Sequence, residues 1–201
     1  MRLRDRARQS TPPPGDDPSP IGEADLITCA VTDPRAFAEL YLRYVAAVHH
    51  YCYRRLGSIE AAEDATSLVF ERVLKALPGY RGGVFRAWLF TIAHNVITDS
   101  YRSAREHHPI DAARELADPS PQPDRLVLLA DDQRLLLAAL SALPPEQRRV
   151  MELRLGGLPS TDVAVVLDRS PESVRALQFR AIKRLRDLLR DPADPAEVRH
   201  A

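Results

Sequence analysis

Arg175, Arg180 and Lys183 recur along a segment opened by Pro171, with Glu172, Ala176 and Phe179 among them. At helical spacing these residues lie outward or at the flanks of one face. They are the residue types that read a DNA duplex. An Arg near a helix N-terminus can pair bidentately with guanine in the major groove, and basic residues further along meet phosphates. A second set lies upstream, where Phe90, Thr91, His94, Thr98, Tyr101 and Arg102 fall on another helix face. Its chemistry differs, because aromatic rings accept unstacked bases at about 1–3 kcal/mol per base. Opening a duplex step costs a few kcal/mol, so a couple of such contacts plus phosphate neutralisation could hold a strand open. The loop Gly79-Tyr80-Arg81-Gly82-Gly83 just before it is flexible and basic enough to close over an extruded base. Each set has a plainer reading. The first would suit a helical hairpin in a bundle, and the rings of the second could be covered by a partner helix.

Other reactive side chains point nowhere in particular. His49, His50 and Cys52, or His107 and His108, are the available ligands, but adjacent histidines diverge on a helix and their spacing matches no zinc signature. We expect no enzyme activity, no catalytic residue, no metal and no cofactor. Cys29 and Cys52 make no disulfide framework and fit a reducing compartment.

Helices must position these groups. Ser160 to Val174 reads as a short capped helix (Thr161 to Leu167), a turn at Asp168-Arg169-Ser170 and a long helix from Pro171, the helix-turn-helix layout. Val163, Ala164, Leu167 and Val174 supply its small core. Val174, Ala181, Ile182, Leu185, Leu188 and Leu189 form the inner face of the long helix. Upstream, Phe85, Trp88, Leu89, Ile92, Ala93, Val96 and Ile97 make one continuous apolar stripe. Asp33-Pro34 starts a helix that Gly57 stops, and Ser58 caps the next, which Pro78-Gly79 ends. Further helices are expected up to Pro144-Pro145 and from Glu146 to Leu155. No strand pairs occur, so the fold is all-α. Two small helical domains are expected at 23–103 and 124–190, joined by an acidic, Pro-containing linker at 104–123. A disordered N-terminal tail is expected at 1–22 and a C-terminal tail at 191–201.

Lys+Arg and Asp+Glu both number 28, so net charge says nothing of a partner. The order of charge does. Residues 78–105 carry Arg81, Arg86, Arg102 and Arg105 against Asp99 alone, residues 106–134 are acidic, and residues 171–190 are basic again. Two polyanion-binding surfaces joined by an acidic strap would give that pattern. No apolar run approaches the ~20 residues of a membrane helix, and Thr11-Pro-Pro-Pro14 stands where a signal peptide would need an apolar stretch. A cytoplasmic, nucleoid-associated monomer without membrane insertion is expected.

Several segments then combine into a resemblance. Ala62-Glu-Asp-Ala-Thr-Ser-Leu-Val-Phe70 is similar to the sigma-factor segment that binds the coiled coil on the largest subunit of RNA polymerase. Phe85-Arg-Ala-Trp-Leu-Phe-Thr-Ile-Ala-His-Asn95, with Asp99, Tyr101 and Arg102, resembles the helix that reads the minus-ten promoter element. Leu143-Pro-Pro-Glu-Gln-Arg-Arg-Val150, Leu153-Arg154 and the helix-turn-helix resemble the domain that reads the minus-thirty-five element. The chain lacks room for the central domain of primary sigma factors, which points to the extracytoplasmic-function group.

The resemblance implies roles. Asp64, Phe70, Glu71 and Leu74 would lie on or near the polymerase-binding helix. Asn95, Asp99 and Arg102 would belong to the minus-ten reader, with Tyr80 and Arg81 in the base-capturing loop and Phe90, His94 and Tyr101 on the same helix. Ser173, Arg175, Phe179, Arg180 and Lys183 would serve the minus-thirty-five reader. Core RNA polymerase and promoter DNA would be partners, as would an anti-sigma factor covering these surfaces. His94 stands where Arg is common, Ser67 where Gln is typical, and Leu177-Gln178 where Arg-Leu is frequent. Gln178 should therefore find a polar partner or shift outward, since an unsatisfied buried amide costs about 1–3 kcal/mol.

A helix-turn-helix regulator docking on intact duplex is the rival reading. It explains residues 144–190 but leaves 58–102 unexplained. A structural helical protein or anti-sigma partner would not need two basic faces. Fully extended, residues 104–123 reach at most ~66–72 Å, and a promoter spacer of about 17 base pairs is ~58 Å of duplex. One monomer can therefore span both elements.

Overall fold

The computed structural model describes residues 22–107 and 131–190, the side chains of 103–107, 131–133 and 189–190 aside. The expected tails up to residue 21 and from 191, the linker from 108 on, and Leu126, Leu129 and Ala130 lie outside the described residues. Among the described residues the chain is all-α.

In the N-terminal half, α1 (Glu23–Cys29), α2 (Pro34–Leu56), α3 (Ile59–Ala76) and α4 (Phe85–His107) pack together, with a 3-10 turn at Leu77–Gly79. Asp33 caps α2 by accepting a hydrogen bond from the Arg35 N–H at 2.9 Å, with Pro34 as first helical residue. Gly57 ends α2 in the left-handed region at φ 68°, its N–H bonded to the Tyr53 carbonyl. Ser58 then caps α3. The Asp33 start and the Gly57 stop match the sequence expectation. Helix α1 was not expected. It buries Leu26 and Ile27, and Glu23 accepts a hydrogen bond from the Tyr44 hydroxyl. Helix α4 also runs past the expected boundary at 103, to His107.

In the C-terminal half, α5 (Asp131–Ser141), α6 (Pro145–Leu155), α7 (Ser160–Val166) and α8 (Pro171–Arg190) follow. Ser160 is the first residue of α7 rather than its cap, a position Pro159 takes without a side-chain bond. Val163, Ala164 and Val174 are buried and Leu167 partly so, the expected core of the turn. Asp168 turns the chain at φ 50°, a left-handed conformation Asp tolerates. The Ser170 hydroxyl accepts from the Ser173 N–H at 3.2 Å, capping α8 ahead of Pro171. Leu177 is buried, and the Gln178 side-chain oxygen accepts from the Ser160 hydroxyl at 2.9 Å, the partner its position demanded.

The two halves share one core. Phe85, Leu89, Ala93, Val96 and Ile97 seal α4 against its own bundle, as the stripe required. The opposite side of α4 packs on α7, and α2 packs on α6. Val150, Leu153, Leu158 and Val163 thus join the same apolar cluster as Leu40 and Val69.

Candidate nucleic-acid interface

The first four turns of α8 present the expected duplex-reading residues. Arg175, Phe179, Arg180 and Lys183 are exposed and Ser173 half-buried. The Phe179 ring is 72% exposed, far beyond what a core position would allow. Arg175 donates to the Glu172 carboxylate at 2.8 Å, an exposed i,i+3 pair that holds the guanidinium over the N-terminal turn without burying it. The inner face of the same helix, from Val174 through Leu177 to Ala181, is buried. Helix α7, set by the Asp168 turn, braces that face.

The α4 region divides. Asn95, Asp99 and Arg102 are exposed, and Asp99 accepts from Arg72 of α3 at 2.9 Å. Arg81 is exposed and donates to the Pro78 carbonyl at 3.1 Å. Tyr80 is half-buried: its hydroxyl donates to the Gly83 carbonyl at 2.8 Å, and its ring lies on Phe85 and Trp88 at centroid distances of 5.6 and 5.1 Å. The loop is therefore folded on itself, with Gly82 and Gly83 at φ 92° and 100°, where L side chains are strained.

The remaining α4 residues follow the plainer of the two readings, rings covered by a neighbouring element rather than open to unstacked bases. Phe90 is 0% exposed. Its ring is 5.5 Å from that of Tyr51, and a Cβ on Gly156, in the turn after α6, would fall 2.7 Å from it. The covering element comes from the other domain, which is why a stripe analysis of α4 alone missed it. Tyr101 is half-buried, its hydroxyl bonded to the Arg55 carbonyl and its ring 5.5 Å from the Arg55 guanidinium. His94 shares a 3.2 Å hydrogen bond with the Tyr51 hydroxyl. Burial, followed by the cations of Arg55 and Arg149, pushes its imidazole down to about 4.

On α3, Asp64, Glu71 and Leu74 are exposed, and Glu71 pairs with Lys75 at 2.5 Å. Phe70 corrects an expectation, for its ring points into the core, edge-on to Tyr41 at 4.6 Å. It shapes the helix from beneath and offers no surface to a partner.

Sequence reasoning missed the polar contacts between the halves. Arg55 of α2 lies 3.2 Å from one Glu152 oxygen, and Arg148 bonds the other at 2.8 Å. Arg148 also donates to the Arg54 carbonyl, and Arg86 of α4 to the Gly156 carbonyl at 3.1 Å. The signal available was the i,i+4 pair Arg148 and Glu152 in a helix with few apolar residues. It reads equally well as a solvated face. No group of His, Cys, Asp and Glu that could hold a metal occurs among the described residues.

Residues 40–107 match the Sigma-70 region 2 family model, and residues 133–185 match the Sigma-70, region 4 model. The first match accounts for the segment that the duplex-docking regulator left unexplained. The chain is 35% identical over 164 residues to the ECF RNA polymerase sigma factor BldN of Streptomyces coelicolor, covering 79% of this chain and 62% of that relative. It thus spans less than two thirds of BldN's length. With the ECF RNA polymerase sigma factor ShbA of Streptomyces griseus subsp. griseus it shares 33% over 169 residues, covering 78% of this chain and 88% of the relative. The solved structure of CnrH in complex with the cytosolic domain of CnrY is similar at a TM-score of 0.61 and 26% identity, over 82% of this chain and 95% of that one. The two domains, in this order, define a sigma-70-type protein. The chain belongs to the extracytoplasmic-function sigma factors of RNA polymerase.

Proposed function

We infer that this chain binds core RNA polymerase, directs it to promoters and helps melt the minus-ten region, performing no catalysis itself. The observation that carries this reading is the order of the matched regions, 2 before 4, with an exposed basic recognition helix in the second. Region 4 reads closed duplex through Arg175 near the start of α8, with Arg180 and Lys183 placed for phosphates. Ser173 and Phe179 flank them. Region 2 contacts the minus-ten strand through Asn95, Asp99 and Arg102, and Tyr80 and Arg81 lie in the loop that receives an extruded base. Asp64, Glu71 and Leu74 are the polymerase contacts on α3.

No helix among the described residues is long and apolar enough to cross a membrane. The chain is proposed to work as a monomer in the cytoplasm, at the nucleoid. An anti-sigma factor covering the same faces is a further proposed partner, and the CnrH complex offers a precedent for a sigma-like fold held by another protein's domain. Run-off transcription with core polymerase on promoter fragments tests the reading, with promoter-specific transcripts above core alone as the expected result. Duplex binding without core binding would favour the regulator instead.

A further inference from the structure

We propose that Arg2, Arg4, Arg6 and Arg8 form a further DNA-binding element, which meets alternate phosphates of the duplex flanking the minus-ten region. The proposal rests on the sigma-factor reading and adds to it a contact that carries no sequence information.

The four arginines occupy every second position from 2 to 8, and the one acidic residue among them, Asp5, has the other parity with Leu3 and Ala7. Along an extended chain, alternate side chains face opposite sides at about 3.3 Å per residue. Laid out on DNA in that way, the four guanidinium groups face one side about 6.6 Å apart, and Asp5 faces the other. The phosphates of one strand follow at about 3.4 Å along the axis, so every second phosphate meets an Arg. In a helix the same four residues would spread around the axis, since two residues turn about 200°.

The fold fixes where this segment joins region 2. Helix α1 is held on α2 by buried Leu26 and Ile27 and by Glu23, which accepts from the Tyr44 hydroxyl. The Tyr44 ring lies 5.4 Å from that of Phe85, and Phe85 lies 5.6 Å from Tyr80. Glu23 is close enough to Tyr80 that, after burial, its charge raises the pKa of that hydroxyl. Gly22 therefore stands beside the loop assigned to the minus-ten base. From Arg8 to Gly22 the chain reaches at most ~46–50 Å, about 14 base pairs of duplex. That stretch holds Asp16, Asp17 and five prolines and no basic residue, the composition of a spacer, so phosphate contact is confined to residues 2–8. Duplex carries one charge per about 1.7 Å of axis, far denser than the exposed Glu60, Glu63 and Asp64 of α3, so DNA outcompetes that acidic face.

The test measures binding of core polymerase with the full chain to promoter duplex across a range of salt. Replacing the four arginines by Ala should make the slope of log affinity against log salt shallower by about 3–4, at ~0.9 per phosphate contact. Replacing all four by Lys should keep the wild-type slope, because a phosphate contact needs charge alone. Arg4→Asp together with Asp5→Arg conserves net charge but breaks the alternation, and should lower the slope by about 1 or more. Trimming the duplex on both sides of the minus-ten element should abolish the difference between wild type and the Ala variant. An unchanged slope in the Ala variant overturns the proposal, and an unchanged slope in the exchange variant overturns the alternating contact. A loss confined to core binding without DNA also overturns it, placing the segment on protein. A wild-type holoenzyme with no preference for promoter over random duplex overturns the function reading instead, while the slope difference on random duplex still decides the arginine contact.

Discussion

The Arg55 guanidinium of α2 lies 3.2 Å from the Glu152 carboxylate of α6, and the two side chains are 3% and 0% exposed. Glu152 also accepts from Arg148 at 2.8 Å within α6. One carboxylate therefore compensates cations from both domains, so the packing of the two halves depends on its charge.

Glu152→Gln should destabilise the folded chain by about 3–5 kcal/mol, the usual cost of leaving a buried charge without its counter-ion. Asp99→Asn breaks an ion pair whose side chains are 40% and 48% exposed, and should cost less than about 1 kcal/mol. Chemical denaturation of both variants checks the contrast. Equal losses would mean that the junction is not a dry ion pair.

Acid should weaken the folded chain through His94. Its imidazole is held at about 4 in the folded chain, against an ordinary 6.5, so the unfolded chain binds the extra proton between those values. This contribution to stability is whole above about pH 6.5 and is lost as pH falls toward 4. A shift of that size amounts to at most about 3.4 kcal/mol. Stability measured against pH for wild type and His94→Gln isolates the effect. The slope in that window should flatten in the variant, and an unchanged slope assigns the loss to other groups.

Arg175→Ala should weaken promoter recognition by about 1–3 kcal/mol and relax preference at one base. The pair with Glu172 is exposed and worth little, so it should not hold Arg175 back from DNA. Titrations on specific and random duplex decide: equal loss on both would place Arg175 on phosphate.

Ser160→Ala removes the donor that Gln178 accepts from across the helix-turn-helix. Both residues are half-buried, so water can partly replace the bond, and the expected cost is about 0.5–1.5 kcal/mol. A thermal melt of the variant measures it. No shift would show that the bond is not maintained in solution.

Most of the helices were legible because each buries a single face: the stripe of α4, the Asp33 start, the Gly57 stop and the Ser170–Pro171 turn all appear as read. The failures have separate causes. Phe90 looks like an outer-face ring because the residues that cover it, in the turn at Gly156, are more than sixty positions away and belong to the other domain. Phe70 faces the core, although its segment resembles a partner-binding one. Helix α1 escaped notice because its buried pair, Leu26 and Ile27, is too short a pattern to stand out. Gln178 went the other way, since of the two outcomes expected for it, a polar partner or an outward shift, the structure has the partner, Ser160.

Run-off transcription by core polymerase with the full chain, on a library of genomic fragments, tests the central claim most directly. We predict transcripts whose start sites share two different, non-palindromic elements about 17 base pairs apart, one region for each reader. Absence of any transcript beyond core alone, together with a palindromic footprint on intact duplex, would contradict the account.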